Sequence, residues 1–309
     1  MKTVTTESDQ AAATTVGVAY VDGEFVPVEE AKISVLDFGF TRSDVTYDVV
    51  HVWEGSFFRL EHHLDRFLKS VAKLRMSLPF DRDQLREILR ECVRRTGLRS
   101  AYVAMLCTRG RPARGSRDLR RCRNRFLAYA IPFIWVGGQE RQSKGMSAIV
   151  SSIPRIPPES VDPTVKNYHW LDLEQAQFEA YDRGTDTAIL LGIDGNVTEG
   201  PGFNVFAVFP DRIVTPARGV LEGITRQTVL DICREHGIAI EVGSISSARL
   251  HNAQEIFLTS TAGGIIPIVK LDDRIVGSGV PGPMTMRVRD LYWQKHNASD
   301  ECTPIDYQS

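Results

Sequence analysis

The sequence predicts a mixed α/β (α+β) fold in two domains. Short runs rich in β-branched and aromatic residues alternate with two amphipathic helical stretches, and a break at residues 136–145, with three glycines and no apolar period, divides the chain. Beyond that break the spacing of strands and helices changes. Residues 16–137 are therefore placed in an N-terminal α/β domain and residues 138–309 in a C-terminal domain. Residues 1–15, mostly Thr, Ser, Ala, Gln and acids, are expected to be a disordered tail rather than a secretory signal.

In the first domain, residues 16–27 alternate around Asp22-Gly23, a two-residue hairpin signal. Residues 46–53 predict a strand that turns at Glu54-Gly55 into a second strand over 56–60. Leu64, Phe67, Leu68, Val71 and Leu74 then set one apolar stripe on a helix beginning near His62. Leu85, Ile88, Leu89, Cys92 and Val93 repeat the pattern, with Asp83 as N-cap and Gly97 as stop. Strands are expected over 100–108 and 125–136, joined by the loop 109–123, which carries seven arginines. In the second domain, strands are expected at 147–153, 203–209, 213–215 and 255–260, with a hairpin at Asp194-Gly195. Helices are expected at 170–183, at 225–236 and after Pro283.

With 42% hydrophobic and 25% charged residues in 309, the chain can bury a core without disulfides. The formal charge of −2 gives no field that favours nucleic acid or an anionic membrane. The longest apolar runs fall far short of the ~18–20 residues that span a bilayer. Five cysteines without C-x-x-C spacing signal neither a disulfide framework nor a zinc site, and fit a cytoplasmic protein with no metal. Small-molecule chemistry is the expectation that remains.

Lys166 stands in a polar, proline-bearing approach to a helix, Asp162-Pro163-Thr164-Val165-Lys166-Asn167. Alone it reads as a solvated lysine; desolvated in a pocket it becomes a nucleophile and base. Glu199 ends a strand before Gly200-Pro201-Gly202-Phe203-Asn204, where glycines would let the backbone approach a flat ring; alone it reads as a turn cap. Gly223-Ile224-Thr225 opens a helix, and such N-termini bind phosphate; Ser260-Thr261-Ala262-Gly263-Gly264 could form another wall of the same anion site. An N-cap and a strand-end turn are the ordinary alternatives.

Taken in order, these motifs resemble the class IV pyridoxal-phosphate aminotransferases over nearly the whole chain from Gly17 to the C-terminal helix. Within that family the chain is most similar to the (R)-selective amine transaminases, through Arg42-Ser43-Asp44-Val45-Thr46-Tyr47-Asp48-Val49, His51-Val52-Trp53 and the segment 162–167, extended by Asp172-Leu173. The resemblance implies the two-domain fold type IV architecture, with a barrel-like sheet in the C-terminal domain. It also implies pyridoxal 5′-phosphate covalently held by Lys166, its ring nitrogen paired with Glu199 beside Phe203 and Asn204, and its phosphate held by Arg66, Ile224, Thr225 and Thr261. Tyr47, Val49, Tyr102, Ala104, Trp170 and Ala262 would line two substrate sub-pockets of unequal size, which select one hand of an amine. Arg114 matches the family's mobile arginine for a keto-acid carboxylate, with Arg111 or Arg117 able to substitute.

Arg42 stands where close relatives usually carry histidine, and Ala104 where fungal relatives carry glutamate, so carboxylate-bearing substrates should be accepted more easily. The implied activity is transfer of an amino group from an R-configured amine or D-amino acid to a 2-keto acid such as pyruvate, by a homodimer whose partner loops complete each site. The alternatives are a branched-chain or D-amino acid aminotransferase, a 4-amino-4-deoxychorismate lyase of the same fold, and a binding protein that has kept the cofactor cup.

Overall fold

The computed structural model describes residues 16–298 and 300–308, so the predicted tail lies outside the described residues. The N-terminal half contributes strands β1 (Val18–Val21), β2 (Glu24–Pro27), β3 (Val45–Trp53), β4 (Ser56–Phe58), β5 (Ala101–Arg111) and β6 (Arg123–Pro132), with helices α1 (Phe38–Arg42), α2 (Leu60–Lys73) and α3 (Arg82–Thr96). The Asp22-Gly23 turn has positive φ at both residues, as a tight hairpin requires. The strands form one antiparallel sheet in the order β4-β3-β5-β6-β1-β2. Its α2 and α3 face buries Val50, Val52, Val103 and Met105 against Leu64, Phe67, Leu85 and Leu89. Each such side chain fully buried stabilises the fold by about 1.5–3 kcal/mol.

Helix α2 starts two residues before the predicted point, because Arg59 takes a left-handed conformation (φ 53°) and ends β4 there. Helix α3 is capped by Asp81, not Asp83. Asp81 and Gln84 exchange side-chain-to-backbone hydrogen bonds in a capping box, which leaves Asp83 in the first turn. Gly97 closes α3 at φ 68° as predicted.

The C-terminal half holds β7 (Met146–Val150), β8 (Thr187–Ile189), β9 (Glu199–Gly200), β10 (Phe203–Val208), β11 (Ile213–Pro216), β12 (Ile240–Gly243), β13 (Glu255–Ser260), β14 (Gly264–Leu271) and β15 (Arg274–Ile275). Helices α4 (Arg141–Lys144), α5 (Leu171–Asp182), α6 (Ile224–Glu235), α7 (Ser247–His251) and α8 (Pro283–Gln294) accompany them. The sheet runs β12-β11-β10-β13-β14-β7-β8, with β9 on β10 and β15 on β14. Leu190 N donates to Glu199 O (2.9 Å) and Thr198 N to Leu190 O (3.0 Å), which joins the end of β8 to β9 and closes β7-β8-β9-β10-β13-β14 into a ring. This is the barrel-like sheet that the resemblance implies.

Strand β14 escapes the sequence reading because Gly264-Ile265-Ile266-Pro267-Ile268 has no period-two alternation and carries a proline. Inside a closed ring both faces are covered, so a continuous apolar run suffices. One further element departs from the sequence division: β16 (Cys302–Pro304), assigned by sequence to the C-terminal half, pairs with β4 at the edge of the first sheet. Arg59 reinforces that return, with Nε on Glu301 (2.6 Å) and Nη1 on Asp231 (2.9 Å).

Candidate active site

A cavity of about 460 Å³ opens between the two sheets, a size suited to a cofactor-bound small molecule. Strand β3 supplies one wall. Strand alternation points Tyr47 and Val49 toward the cavity, with Tyr102 and Tyr129 from the neighbouring strands, while Asp48 and Val50 face α2. Ala104 lies between Val49 and Tyr129 across the sheet. It is fully buried, and forms packing beneath the wall rather than the lining itself.

Lys166 enters from the opposite side. Its carbonyl accepts from Tyr47 N (3.1 Å) and Thr46 Oγ1 (2.7 Å), so the backbone at 166 is pinned to β3. Its Nζ lies 4.3 Å from the centre of the Tyr47 ring, itself stacked on Tyr168. Burial and the Arg66 charge push the amine down to about 8, against the opposing pull of Asp48 and Glu199. A lysine so placed spends far more of its time as a free base at neutral pH than a surface lysine does.

Glu199 is fixed by strand register. Glu199 on β9 pairs with Asn204 on β10, and Asn204 with Thr259 on β13, so three polar side chains stand in one row facing the cavity. Glu199 Oε2 accepts from Leu221 N (2.8 Å), and Asn204 Nδ2 donates to Leu221 O (2.8 Å), which clamps the loop ahead of α6. A Cβ on Gly223 would collide with Asn204 Oδ1, so any larger residue there would displace the Asn204 amide. Burial raises the Glu199 carboxyl, opposed by Arg155, the Leu221 N–H and Lys166.

The start of α6 could hold an anion. Gly223 is the N-cap and offers no side chain, which leaves the first N–H groups of α6 uncapped beside Ile224 and Thr225, both on the cavity wall. Thr261 and Ala262 face them from the β13–β14 turn, and Thr259 Oγ1 is buried on the same cavity with no hydrogen-bond partner among the described residues. Arg66 reaches the same cavity from α2. It is no solvated helix arginine: Nε and Nη2 bind the two oxygens of Asp48 (2.7 and 2.8 Å), and Nη1 reaches Glu222 O (3.1 Å).

Asp48 also accepts from His63 Nδ1 (2.8 Å). Burial would raise its carboxyl, but Arg66 and His63 hold it well below the usual carboxylate range. Asp48 thus sets the aim of Arg66. Asp48→Asn should cost roughly 3–5 kcal/mol of stability, as expected when a buried ion pair loses one partner. It should also weaken binding of the phosphate-bearing cofactor; urea unfolding and a cofactor titration would measure the two effects.

The sequence singled out neither Asp48 nor Arg155. An acid in the middle of a nine-residue strand of otherwise apolar and aromatic character was the available signal for Asp48, since a buried carboxylate demands a cation nearby. Arg155 is buried between Glu199 and Asp172, with no sequence neighbour that would announce it.

The structure brings Lys166, Arg66, Glu199, Phe203, Asn204, Ile224, Thr225 and Thr261 to one cavity, with Tyr47, Val49, Tyr102, Trp170 and Ala262 beside them. It does not bring Arg42 or Arg114 there within one chain. Arg42 lies on α1 with its guanidinium 3.6 Å from the Phe38 ring centre. Arg114 is exposed on a separate and larger groove of about 1930 Å³, lined with Arg111 and Arg121 and containing none of the residues around Lys166. Both positions follow from their location on loops and helix ends outside the β3–β5 face.

The profile of the family described as Amino-transferase class IV matches residues 46–271. The branched-chain-amino-acid aminotransferase of Pseudomonas aeruginosa is 30% identical over 287 residues, 90% of this chain and 92% of that protein. The D-alanine aminotransferase of Bacillus licheniformis is 30% identical over 270 residues, 87% of this chain and 93% of that protein. A solved structure of a T.th. branched-chain amino acid aminotransferase with pyridoxamine 5′-phosphate superposes with a TM-score of 0.87 at 32% identity, covering 94% of this chain and 99% of that one. The chain belongs to the class IV aminotransferases. It is a pyridoxal-phosphate-dependent aminotransferase with the two-domain fold of that family. The cavity fits the cofactor, with an uncapped helix start and a threonine hydroxyl without a partner among the described residues on its wall, and a lysine of lowered proton affinity inside it.

Proposed function

We propose that the chain transfers an amino group from an apolar R-configured amine, or from a D-amino acid, to a 2-keto acid such as pyruvate. Lys166 is the covalent anchor and base, Glu199 partners the cofactor's ring nitrogen, and Arg66, Ile224, Thr225 and Thr261 hold its phosphate. When bound, the cofactor supplies an electron sink for the carbon that loses its proton. Lys166 Nζ takes that proton from the amine-bearing carbon.

The observation that carries the substrate class is the cavity wall made by Tyr47, Val49, Tyr102, Tyr129 and Trp170. It is aromatic and apolar, and the two arginines on the cavity, Arg66 and Arg155, are each engaged by carboxylates. The resemblance around residues 42–53 and 162–167 to (R)-selective amine transaminases supports the R preference. It also supports a cytoplasmic homodimer in which partner loops complete each site, an arrangement that would cover the exposed Val35, Leu36 and Phe40 and bring the arginines of the 109–123 loop to a cavity.

Incubation with (R)-1-phenylethylamine and pyruvate is expected to yield acetophenone and alanine, and the (S) enantiomer little. The second reading, a branched-chain or D-amino acid aminotransferase, is favoured by the activities named for the relatives. It would be preferred if neither enantiomer yielded ketone while L-leucine served as donor.

A further inference from the structure

Arg155 lies on the wall of the active cavity, but no role assigned so far to lysine, glutamate or the phosphate cup uses it. It is 7% exposed, Asp172 8% and Glu199 7%, so three charged side chains are buried together. Arg155 Nη1 donates to Asp172 Oδ2 (2.6 Å) and Nε to Glu199 Oε1 (3.2 Å). Asp172 is held in turn by backbone donors, Ile156 N on Oδ2 (2.8 Å) and Leu173 N on Oδ1 (2.9 Å). The backbone of Arg155 is fixed as well, with its N–H on Leu191 O (2.9 Å). The guanidinium therefore cannot drift without breaking several bonds.

Buried charges persist only when paired and hydrogen-bonded. Glu199 stands on the cavity with Lys166 and Tyr47, and its own burial favours the neutral acid. A neutral Glu199 could not hold a proton on a ring nitrogen, because that pairing needs an anion. The two donors already on Glu199, Arg155 Nε on one oxygen and Leu221 N on the other, both favour its ionised form and leave each oxygen a further lone pair.

We infer that Arg155, aimed by Asp172, is a positioning residue that keeps Glu199 an anion and so keeps the ring nitrogen of the bound cofactor protonated. This rests on the assignment of Glu199 above. The line Asp172–Arg155–Glu199 runs from the first turn of α5 to β9, so it ties the helix that follows the Lys166 segment to the strand that carries the acid. Residue 155 belongs to neither element and joins the two by its side chain alone.

The test uses holoenzyme saturated with ¹⁵N-labelled pyridoxal phosphate, and reads the ring-nitrogen chemical shift beside kcat and KM. The wild type and Arg155→Lys are expected to show a protonated ring nitrogen. Arg155→Met is expected to show the unprotonated shift, with kcat lowered on the order of 10²-fold and KM changed far less. Asp172→Asn should fall between, and it carries the test if Arg155→Met does not fold. A purely structural ion pair would alter stability and leave the nitrogen shift where it was, so a folded Arg155→Met or Asp172→Asn with the wild-type shift and rate overturns the inference. If instead Glu199→Gln also leaves a protonated ring nitrogen, it is the assignment of Glu199 that fails.

Discussion

Lys166→Ala is expected to leave a folded protein that has lost the visible absorbance of lysine-bound cofactor and nearly all turnover. The fall should be on the order of 10⁴, the upper range for removal of a positioned proton-transfer group, because covalent anchor and base are lost together. The fold should survive, since Lys166 contributes its backbone to β3 through its carbonyl, which alanine keeps. The lowered proton affinity of Lys166 gives this account a pH sign. Below about 8 the amine is mostly charged and above it mostly free, so the rate of covalent cofactor attachment to apoprotein should rise with pH through that region. A rate that stays flat between neutral and strongly basic pH would contradict the desolvated lysine.

Glu199→Gln is expected to have the second largest effect. Glutamine fills the same volume and can still accept from Leu221 N, so the loop ahead of α6 and the phosphate cup should stay in place and cofactor should bind. The negative charge is gone, however, and Arg155 is left facing an amide, with Asp172 as its remaining carboxylate. Turnover should fall on the order of 10²- to 10³-fold, the scale for loss of one preorganised electrostatic partner, while cofactor retention, followed by gel filtration and absorbance, changes little. A Glu199→Gln protein of near-normal kcat would remove Glu199 from the mechanism.

Much of the site was legible because the chemistry sits where the backbone is special. Gly200 and Gly202 flank Pro201 after Glu199, Gly223 opens α6, and Gly263-Gly264 come soon after Thr261; at Gly200, Gly223, Gly263 and Gly264 neighbouring atoms leave no room for a side chain without a shift, and Gly202 has positive φ. The ion pairs that support the site were not legible. Asp48 and Arg66 meet from a strand and a helix, and Arg155, Asp172 and Glu199 meet from a loop, a helix and a strand, pairings that only the tertiary fold creates. Helices α2 and α3 followed from apolar period, since each buries one stripe against a sheet. Strand β14 and the return of β16 to the first sheet did not, because a ring covered on both faces and a short edge strand leave no period to read. The loop arginines show the limit most plainly. Their number was visible, but the fold leaves Arg114 on a groove apart from the cavity around Lys166.

Borohydride reduction of the holoenzyme, followed by proteolysis and mass spectrometry, tests the central claim most directly, because it fixes the cofactor to whatever amine holds it. The phosphopyridoxyl group should be found on the peptide containing Lys166, at that residue and at close to one per chain. A label on another lysine, or unlabelled Lys166 in an enzyme that transaminates, would contradict the account.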